Sequence, residues 1–317
     1  MKKHDLKITI GIACFNAEET IKMAVESALA QDWQNFEIIA IDDGSEDKTE
    51  TILLEIARQN NQLKILKHKR NLGYPACLNS ILAACSGEFI AFFDSDDVSC
   101  TDRLRKQVDK ILSIEKKTGS HDVFCYSNRN VVRTGQTVVD HEALAIGRFS
   151  PEPKGKMVAD FIFGNAIPRE YCWGMFGSCT LMARKDLFKK LGRFDERFRR
   201  SAELDMAIRL SFVDGCFVSV NEPLVTQYKT QGSYKAGRKP LEYSILLRQK
   251  YKDYLKKDKF YIASLAVAHS NFYSTKKNMV LSRFYRLIAF SISPKLLINF
   301  LRNKLRSNSD FNSKLRL

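Results

Sequence analysis

Five carboxylates stand at two places where the chain changes character. Asp94-Ser95-Asp96-Asp97 directly follows the apolar run Phe89-Ile90-Ala91-Phe92-Phe93, and Asp42-Asp43-Gly44-Ser45 directly follows Phe36–Ile41. Three acids within four residues repel one another unless a cation neutralises them. The Asp-x-Asp spacing suits a hard divalent ion, which takes oxygen ligands and commonly keeps water or substrate phosphates in its shell. A carboxylate pair plus a diphosphate fits Mg²⁺ or Mn²⁺. Solvent loops also carry D-x-D, so its place at the end of an apolar strand is what gives the spacing functional meaning.

The elements around these acids alternate. Leu6–Ile12 reads as a strand, Ala17–Gln31 as an amphipathic helix with Asn16 as its cap, and Phe36–Ile41 as a buried strand. Residues 47–60 read as a helix, Leu63–Leu66 as a strand and Tyr74–Cys85 as a helix. Glu88–Phe93 is a strand, and Thr101–Ser113 a helix with Leu104, Val108, Ile111 and Leu112 on one face. Four strand–helix alternations predict an α/β fold with a mostly parallel sheet flanked by helices. Right-handed crossovers put the strand C-terminal ends on one edge, where ligands of open α/β sheets bind. Beyond residue 115, Val123–Arg133 and Gln136–Asp140 read as strands about Gly135, and 143–175 mostly as loop. Ser178–Met182 reads as a strand, with helices at Lys185–Leu191 and Ala202–Val213. After Tyr228 a polar loop leads into helical sequence.

Composition narrows the classes. Of 317 residues 44% are hydrophobic and 27% charged, so the chain is neither disordered nor fibrous. The longest near-apolar stretches, Phe260–Tyr273 and Leu287–Leu301, are interrupted by His269 and Asn271 and by Pro294 and Lys295, so no spanning helix is expected. The first residues lack the apolar core of a secretory leader, so no leader is expected and a cytoplasmic location is the expectation. No Cys-x-x-Cys and no His-x-x-x-His occurs among eight cysteines and five histidines, which removes zinc and redox motifs and predicts buried free thiols. No phosphate loop of the G-x-x-x-x-G-K type and no G-x-G-x-x-G after the first strand is present.

Several stretches together resemble one family. Ile10-Gly11-Ile12-Ala13-Cys14-Phe15-Asn16, Asp42-Asp43-Gly44-Ser45, Arg70-Asn71-Leu72-Gly73, Gly87–Asp97 and Gly192-Arg193-Phe194-Asp195-Glu196 look like the family 2 glycosyltransferases of the GT-A (Rossmann-like) nucleotide-diphospho-sugar transferase fold. The resemblance covers about residues 6–228. It implies inverting transfer from a nucleotide-diphosphate sugar, most often UDP-linked, with Mn²⁺ or Mg²⁺. By this resemblance Ala13 and Phe15 lie beside the base and Asp43 accepts from uracil N3–H. Arg70 and Asn71 border the nucleotide, Asp94 and Ser95 meet the ribose side, and Asp96 holds the metal. Ala13 and Cys14 replace the family's Pro and Thr. The family's catalytic base lies in an E-D-x-D segment; here Ser201-Ala202-Glu203-Leu204-Asp205 puts Glu203 at the base position, with Asp205 as competitor. Trp173 and Met175 are candidates for an acceptor platform, although core packing accounts equally well for their neighbour Phe176.

The resemblance divides the chain into a transferase domain, 1–228, with a nucleotide half (1–115) and an acceptor half (116–228), and a C-terminal region, 229–317. Charge follows the same line. Residues 1–228 carry 31 Lys+Arg against 32 Asp+Glu, whereas residues 229–317 carry 20 against 4. A basic helical region seeks polyanions, here an anionic membrane surface holding a glycan or lipid-linked acceptor; it also fits a homodimer contact or a solvated face. The polar loop with Lys229, Gln231-Gly232-Ser233 and Lys235 is either a lid over a diphosphate or a hinge. Two other classes compete: a nucleic-acid-binding protein using basic and aromatic residues of the tail, and a nucleotidyltransferase. No legible recognition element supports the first, so no nucleic-acid partner is expected.

Overall fold

The computed structural model describes residues 5–165, 170–229, 237–256 and 260–298. Its strands are β1 (Ile8–Cys14), β2 (Phe36–Asp42), β3 (Leu63–Lys67), β4 (Phe89–Asp94), β5 (Asp97–Ser99), β6 (Val123–Val132), β7 (Val139–Ala143), β8 (Met182–Arg184) and β9 (Cys216–Tyr228). Its helices are α1 (Ile21–Leu29), α2 (Thr49–Gln59), α3 (Tyr74–Ala84), α4 (Arg103–Thr118), α5 (Lys156–Phe163), α6 (Lys185–Leu191), α7 (Ala202–Phe212), α8 (Lys239–Lys250), α9 (Lys252–Leu255), α10 (Phe260–Thr275) and α11 (Met279–Ile292). The chain divides into two compact units. Met1–Gly155 with Glu170–Gln231 forms one, and Lys156–Arg169 with Gly232–Leu317 the other.

The first unit is built on a nine-stranded sheet of order β3-β2-β1-β4-β8-β6-β9-β5, with β7 against β6. β3, β2, β1 and β4 are mutually parallel. β8 is antiparallel to both β4 and β6, so β6 runs in the sense of β4. Ala13 at the end of β1 pairs with Ile41 on one side and Asp94 on the other. Asp42-Asp43 and Asp94-Ser95-Asp96-Asp97 therefore leave the sheet on either side of β1, where the strand order reverses and a crevice opens. Ile8, Ile10 and Ile12 of β1 are fully buried in the same cluster as Ile21, Val25 and Ala28 of α1. Each of these isoleucine and valine side chains contributes about 1.5–3 kcal/mol when buried.

Several local expectations are corrected. Asn16 does not cap α1. Its backbone has φ +49°, its N–H donates to Ser45 Oγ and its Oδ1 accepts from Glu46 N–H. A turn at Ala17–Thr20 then delays the helix to Ile21. Ser178–Met182 is not a strand: Thr180 N–H and Oγ1 both bond the Gly177 carbonyl, making a 3₁₀ turn before β8. The second hairpin strand is Val139–Ala143 rather than Gln136–Asp140, because Gln136 N–H closes the turn onto Arg133. Residues 143–175, read as loop, contain α5. Six cysteines are buried as expected, but Cys172 is half-buried and Cys100 exposed.

The second unit is helical. Arg248 of α8 is buried, donating to the carbonyls of Ser264 and Phe163, and Tyr254 donates to Asp160. These bonds tie α5 to the C-terminal helices, so the unit takes in a segment from the middle of the chain. Among the described residues no helix is long and apolar enough to cross a membrane.

Candidate active site

Asp43 is almost wholly enclosed. Its Oδ1 accepts from Leu72 N–H at 3.0 Å and from His68 Nδ1 at 2.6 Å, and its Oδ2 accepts from Gly73 N–H at 2.8 Å. His68 Nε2 stands 2.8 Å from Ser80 Oγ. The carboxylate thus fixes the Arg70–Gly73 turn over the Asp42–Ser45 turn, and the Cys77 thiol reaches it as well. Gly44 makes the approach possible. It has φ +73°, and a Cβ there would lie 2.8 Å from the Arg70 backbone. Arg70 is exposed, and Asn71 Oδ1 accepts from Arg199 at 3.4 Å, which joins this turn to the loop ahead of α7.

The second acidic turn is crowded. Burial and the neighbouring Asp96 push the Asp94 carboxyl up to about 6. Burial, then Asp94 and Asp96, push Asp97 up to about 8. Asp97 Oδ1 accepts from Tyr228 N–H, while its Oδ2 is buried with no partner. Beneath them Arg103 is fully buried. It donates to Phe92 O, Ser99 Oγ and Gln107 Oε1 and lies 4.1 Å from the Phe93 ring centroid. That cation offsets part of the charge, yet the acids remain shifted against ionisation. A half-buried carboxylate, Asp96, between two reluctant ones with an orphaned oxygen is a donor set that fits a hard divalent cation.

Tyr74, which opens α3, connects these acids to the other half of the unit. Its hydroxyl donates to Asp94 Oδ1 at 3.1 Å, and the charges of both Asp94 and Glu203 add to burial in raising its pKa. Glu203, in the first turn of α7, is half-buried. Burial raises its pKa, against the pull of Arg200 and Arg129. Arg129 comes from the C-terminal part of β6, at the same sheet edge, and its charge acts on Asp94 as well. Its Nε is buried without a partner, and a Cβ at residue 177 would lie 2.1 Å from Nη1, so a side chain there would displace the guanidinium. Tyr126, fully buried with an unpartnered hydroxyl, feels the same Glu203 charge.

Asp205 is differently placed. It is fully buried, and Arg209 donates to its Oδ2 at 2.8 Å while also bonding the carbonyls of Leu191, Gly192 and Arg193. The pair braces α7 against the turn after α6.

The remaining candidates divide. Ala13 and Ser95 are half-buried at the sheet edge, and Phe15 is 45% exposed just past β1. Trp173 packs on Tyr171, and Met175 is 52% exposed on a segment bridged to Ala145. Phe176 is half-buried, edge-on to Tyr126 and Phe217. Of the polar loop, residues 230–236 lie outside the described residues; Lys229 N–H continues the β9 pairing to Val132. A separate concavity lined by Asn79, Lys185, Phe188 and Lys189 shares none of these acids.

Tyr74, Arg129, Tyr126 and His68 were not visible as site residues in the sequence. Each is an ordinary residue type outside any motif, and only the sheet order brings it to the edge.

An open, mostly parallel sheet with acids at its reversal point is the architecture of the GT-A nucleotide-diphospho-sugar transferases. Solved structures agree: S. aureus TarS 1–349 in complex with UDP-GlcNAc superposes with a TM-score of 0.59 at 17% identity, covering 89% of this chain and 90% of that one. Residues 9–189, more than half of the chain, match the profile of glycosyl transferase family 2, and the protein belongs to that family: it is a glycosyltransferase. It is 24% identical over 255 residues to the amylovoran biosynthesis glycosyltransferase AmsB of Erwinia amylovora, 79% of each chain. It is 30% identical over 206 residues to the putative glycosyltransferase EpsE of Bacillus subtilis, 64% of this chain and 66% of that one. To the Escherichia coli UDP-Glc:alpha-D-GlcNAc-diphosphoundecaprenol beta-1,3-glucosyltransferase WfgD it is 31% identical over 134 residues, covering 42% of this chain and half of that relative.

Proposed function

We propose that the protein inverts the anomeric centre of a UDP-sugar as it transfers the sugar to a hydroxyl of a glycan or lipid-linked acceptor, in surface polysaccharide synthesis at the inner face of the cytoplasmic membrane. One observation carries the chemistry: Tyr74 bonds Asp94 while sensing Glu203, so a donor-side acid and a candidate base share one crevice. The relatives' printed activities support the donor and acceptor classes, since TarS was solved with UDP-GlcNAc and WfgD acts on a diphosphoundecaprenol-linked sugar.

In this reading Phe15 and Ala13 flank the base, and Asp43 acts through the Arg70-Asn71 turn it anchors, a base N–H competing with the Cys77 thiol for its carboxylate. Asp94 and Ser95 face the ribose. Asp96, with Asp94 beside it, would hold Mn²⁺ or Mg²⁺. When bound, that cation supplies positive charge against the diphosphate. The acceptor oxygen attacks the anomeric carbon opposite the diphosphate. The new C–O bond forms as the old one breaks, the electron pair leaves with UDP, and the hydroxyl proton passes to Glu203. The raised pKa makes Glu203 a better base than an ordinary surface glutamate. Arg129 lies where it offsets negative charge at both Asp94 and Glu203. Trp173 and Met175 are the acceptor-side candidates.

Thermal stabilisation by UDP with Mn²⁺, followed by hydrolysis assays across UDP-, GDP- and dTDP-sugars, tests the reading. Stabilisation by oligonucleotide and by no nucleoside diphosphate would overturn it in favour of a nucleic-acid partner.

A further inference from the structure

Helix α11 has two faces of opposite character. On one, Ser282 and Ala289 are buried. Ser270 Oγ donates to the Ser282 carbonyl at 2.9 Å, and the Tyr285 ring stacks on His269 and Tyr273 at centroid distances of 4.6 and 5.6 Å. This is the seam with α10. At 3.6 residues per turn, Val280, Phe284 and Leu287 lie within about 40° of the point opposite Ser282. They are 79%, 55% and 67% exposed. Packing inside the unit accounts for the inner face and leaves the outer apolar stripe open, an arrangement that favours a covering surface.

The rim of the stripe is basic. Lys276, Lys277, Arg283 and Lys295 are exposed, and no Asp or Glu occurs anywhere from residue 260 to 298. Charge chooses the occupant. Two copies meeting through this face would bring like basic rims together, whereas anionic headgroups would neutralise them. At 14 residues the helix is about 21 Å long, too short to span a bilayer and of the right kind to lie in its interface.

We propose that this face of α11 docks the protein on an anionic lipid surface. Val280, Phe284 and Leu287 enter the headgroup–acyl boundary, and the surrounding lysines and arginines lie over the phosphates. The inference rests on the membrane placement proposed above and is independent of the transfer chemistry.

The test is co-sedimentation of the full chain with vesicles of equal parts phosphatidylglycerol and phosphatidylcholine, against phosphatidylcholine alone, with UDP-sugar hydrolysis measured in solution alongside. Wild type should pellet with the anionic vesicles, weaken as salt rises, and leave neutral vesicles unbound. Val280→Ser with Phe284→Ser and Leu287→Ser should cut binding by about tenfold or more while hydrolysis stays unchanged. In case the triple variant folds poorly, Phe284→Trp gives a second reading, a blue shift of the introduced indole's emission on adding anionic vesicles. Equal pelleting with neutral lipid, full binding by a folded triple variant, or an indole emission that does not shift overturns the inference. So does a wild-type dimer that the triple variant dissolves, with no lipid binding by either. Lost hydrolysis with intact lipid binding would strike the transferase reading alone.

Discussion

Replacing Glu203 by Gln keeps the size of the side chain and removes its ability to take a proton. Loss of a general base costs ~10²–10⁴-fold in rate, or about 2.7–5.5 kcal/mol in the barrier. Donor binding should be preserved, because the proposed nucleotide contacts are Asp43, Asp94 and the Arg70 turn and not Glu203, so KM for the donor should barely move while kcat collapses. The pH profile adds a second reading. Glu203 must be ionised to act, and burial raises its pKa above the ordinary 4.5. Transfer should therefore rise as pH climbs through that raised value and vanish below it, and the Gln variant should lack this limb. Asp205→Asn is the control. It weakens a buried bond to Arg209 that braces three carbonyls, and hydrogen bonds to charged groups contribute about 1.5–3 kcal/mol. It should lower Tm by several degrees yet leave most transfer per folded molecule. Initial-rate transfer from a UDP-sugar, with melting curves on each variant, decides. An active Glu203→Gln enzyme with its acid limb intact, beside an inactive Asp205→Asn enzyme of unchanged Tm, would refute the assignment.

The other site residues make separable predictions. Asp96→Ala should abolish the Mn²⁺-dependent part of UDP-induced thermal stabilisation and nearly all transfer; unchanged turnover would remove the metal from the reading. His68→Ala takes the imidazole hydrogen bond from Asp43 and should raise donor KM roughly tenfold with little change in kcat, and His68→Asn, which can again donate toward Asp43, should recover part of the loss. A kcat effect without a KM effect would show that His68 does not act through Asp43. Gly44→Ala forces an L residue into φ +73° and sets a Cβ against the Arg70 backbone, at a conformational cost of about 1–2 kcal/mol before the clash is counted. Donor KM should rise with it, and an unaltered KM would mean that the Arg70 turn does not border the nucleotide.

The parallel half of the sheet was legible because its signals are local. β1, β2 and β4 are buried on both faces; β1 reads as an alternating strand, β2 and β4 as short apolar runs, and the helices between them repeat at helical spacing. Beyond it β6 was also legible, as Val123–Arg133, but other parts of the sheet were hidden for identifiable reasons. β9 is thirteen residues long, but Asn221-Glu222-Pro223 interrupts it where its register with β6 shifts at Asn128, and a strand carrying a bulge and a proline loses its alternation. β5 is three residues drawn from the acidic turn itself. α5 sits between Gly155 and Gly164, glycines that punctuate a sequence like a loop while here bounding a helix that packs in the other unit.

The site shows the same division between what a residue type announces and what a neighbour imposes. Carboxylates at strand ends are visible because their crowding is costly and local. Whether a given acid is free to act is decided by groups distant in sequence. Asp205 and Glu203 sit two residues apart, both in the first turn of α7 and both plausible as a base. Arg209, one helical turn on, pairs with Asp205 and ties it to the turn after α6. Glu203 instead lies among Tyr74, Tyr126 and Arg129, which the sheet order delivers from β6 and from the start of α3. Asp43 follows the same logic. Its motif marks it as a binding acid, and His68, Leu72 and Gly73 make it first the anchor of a loop. Position in a motif therefore names the candidates, and the partners supplied by the fold decide which of them keeps a lone pair or a proton to spend on a substrate.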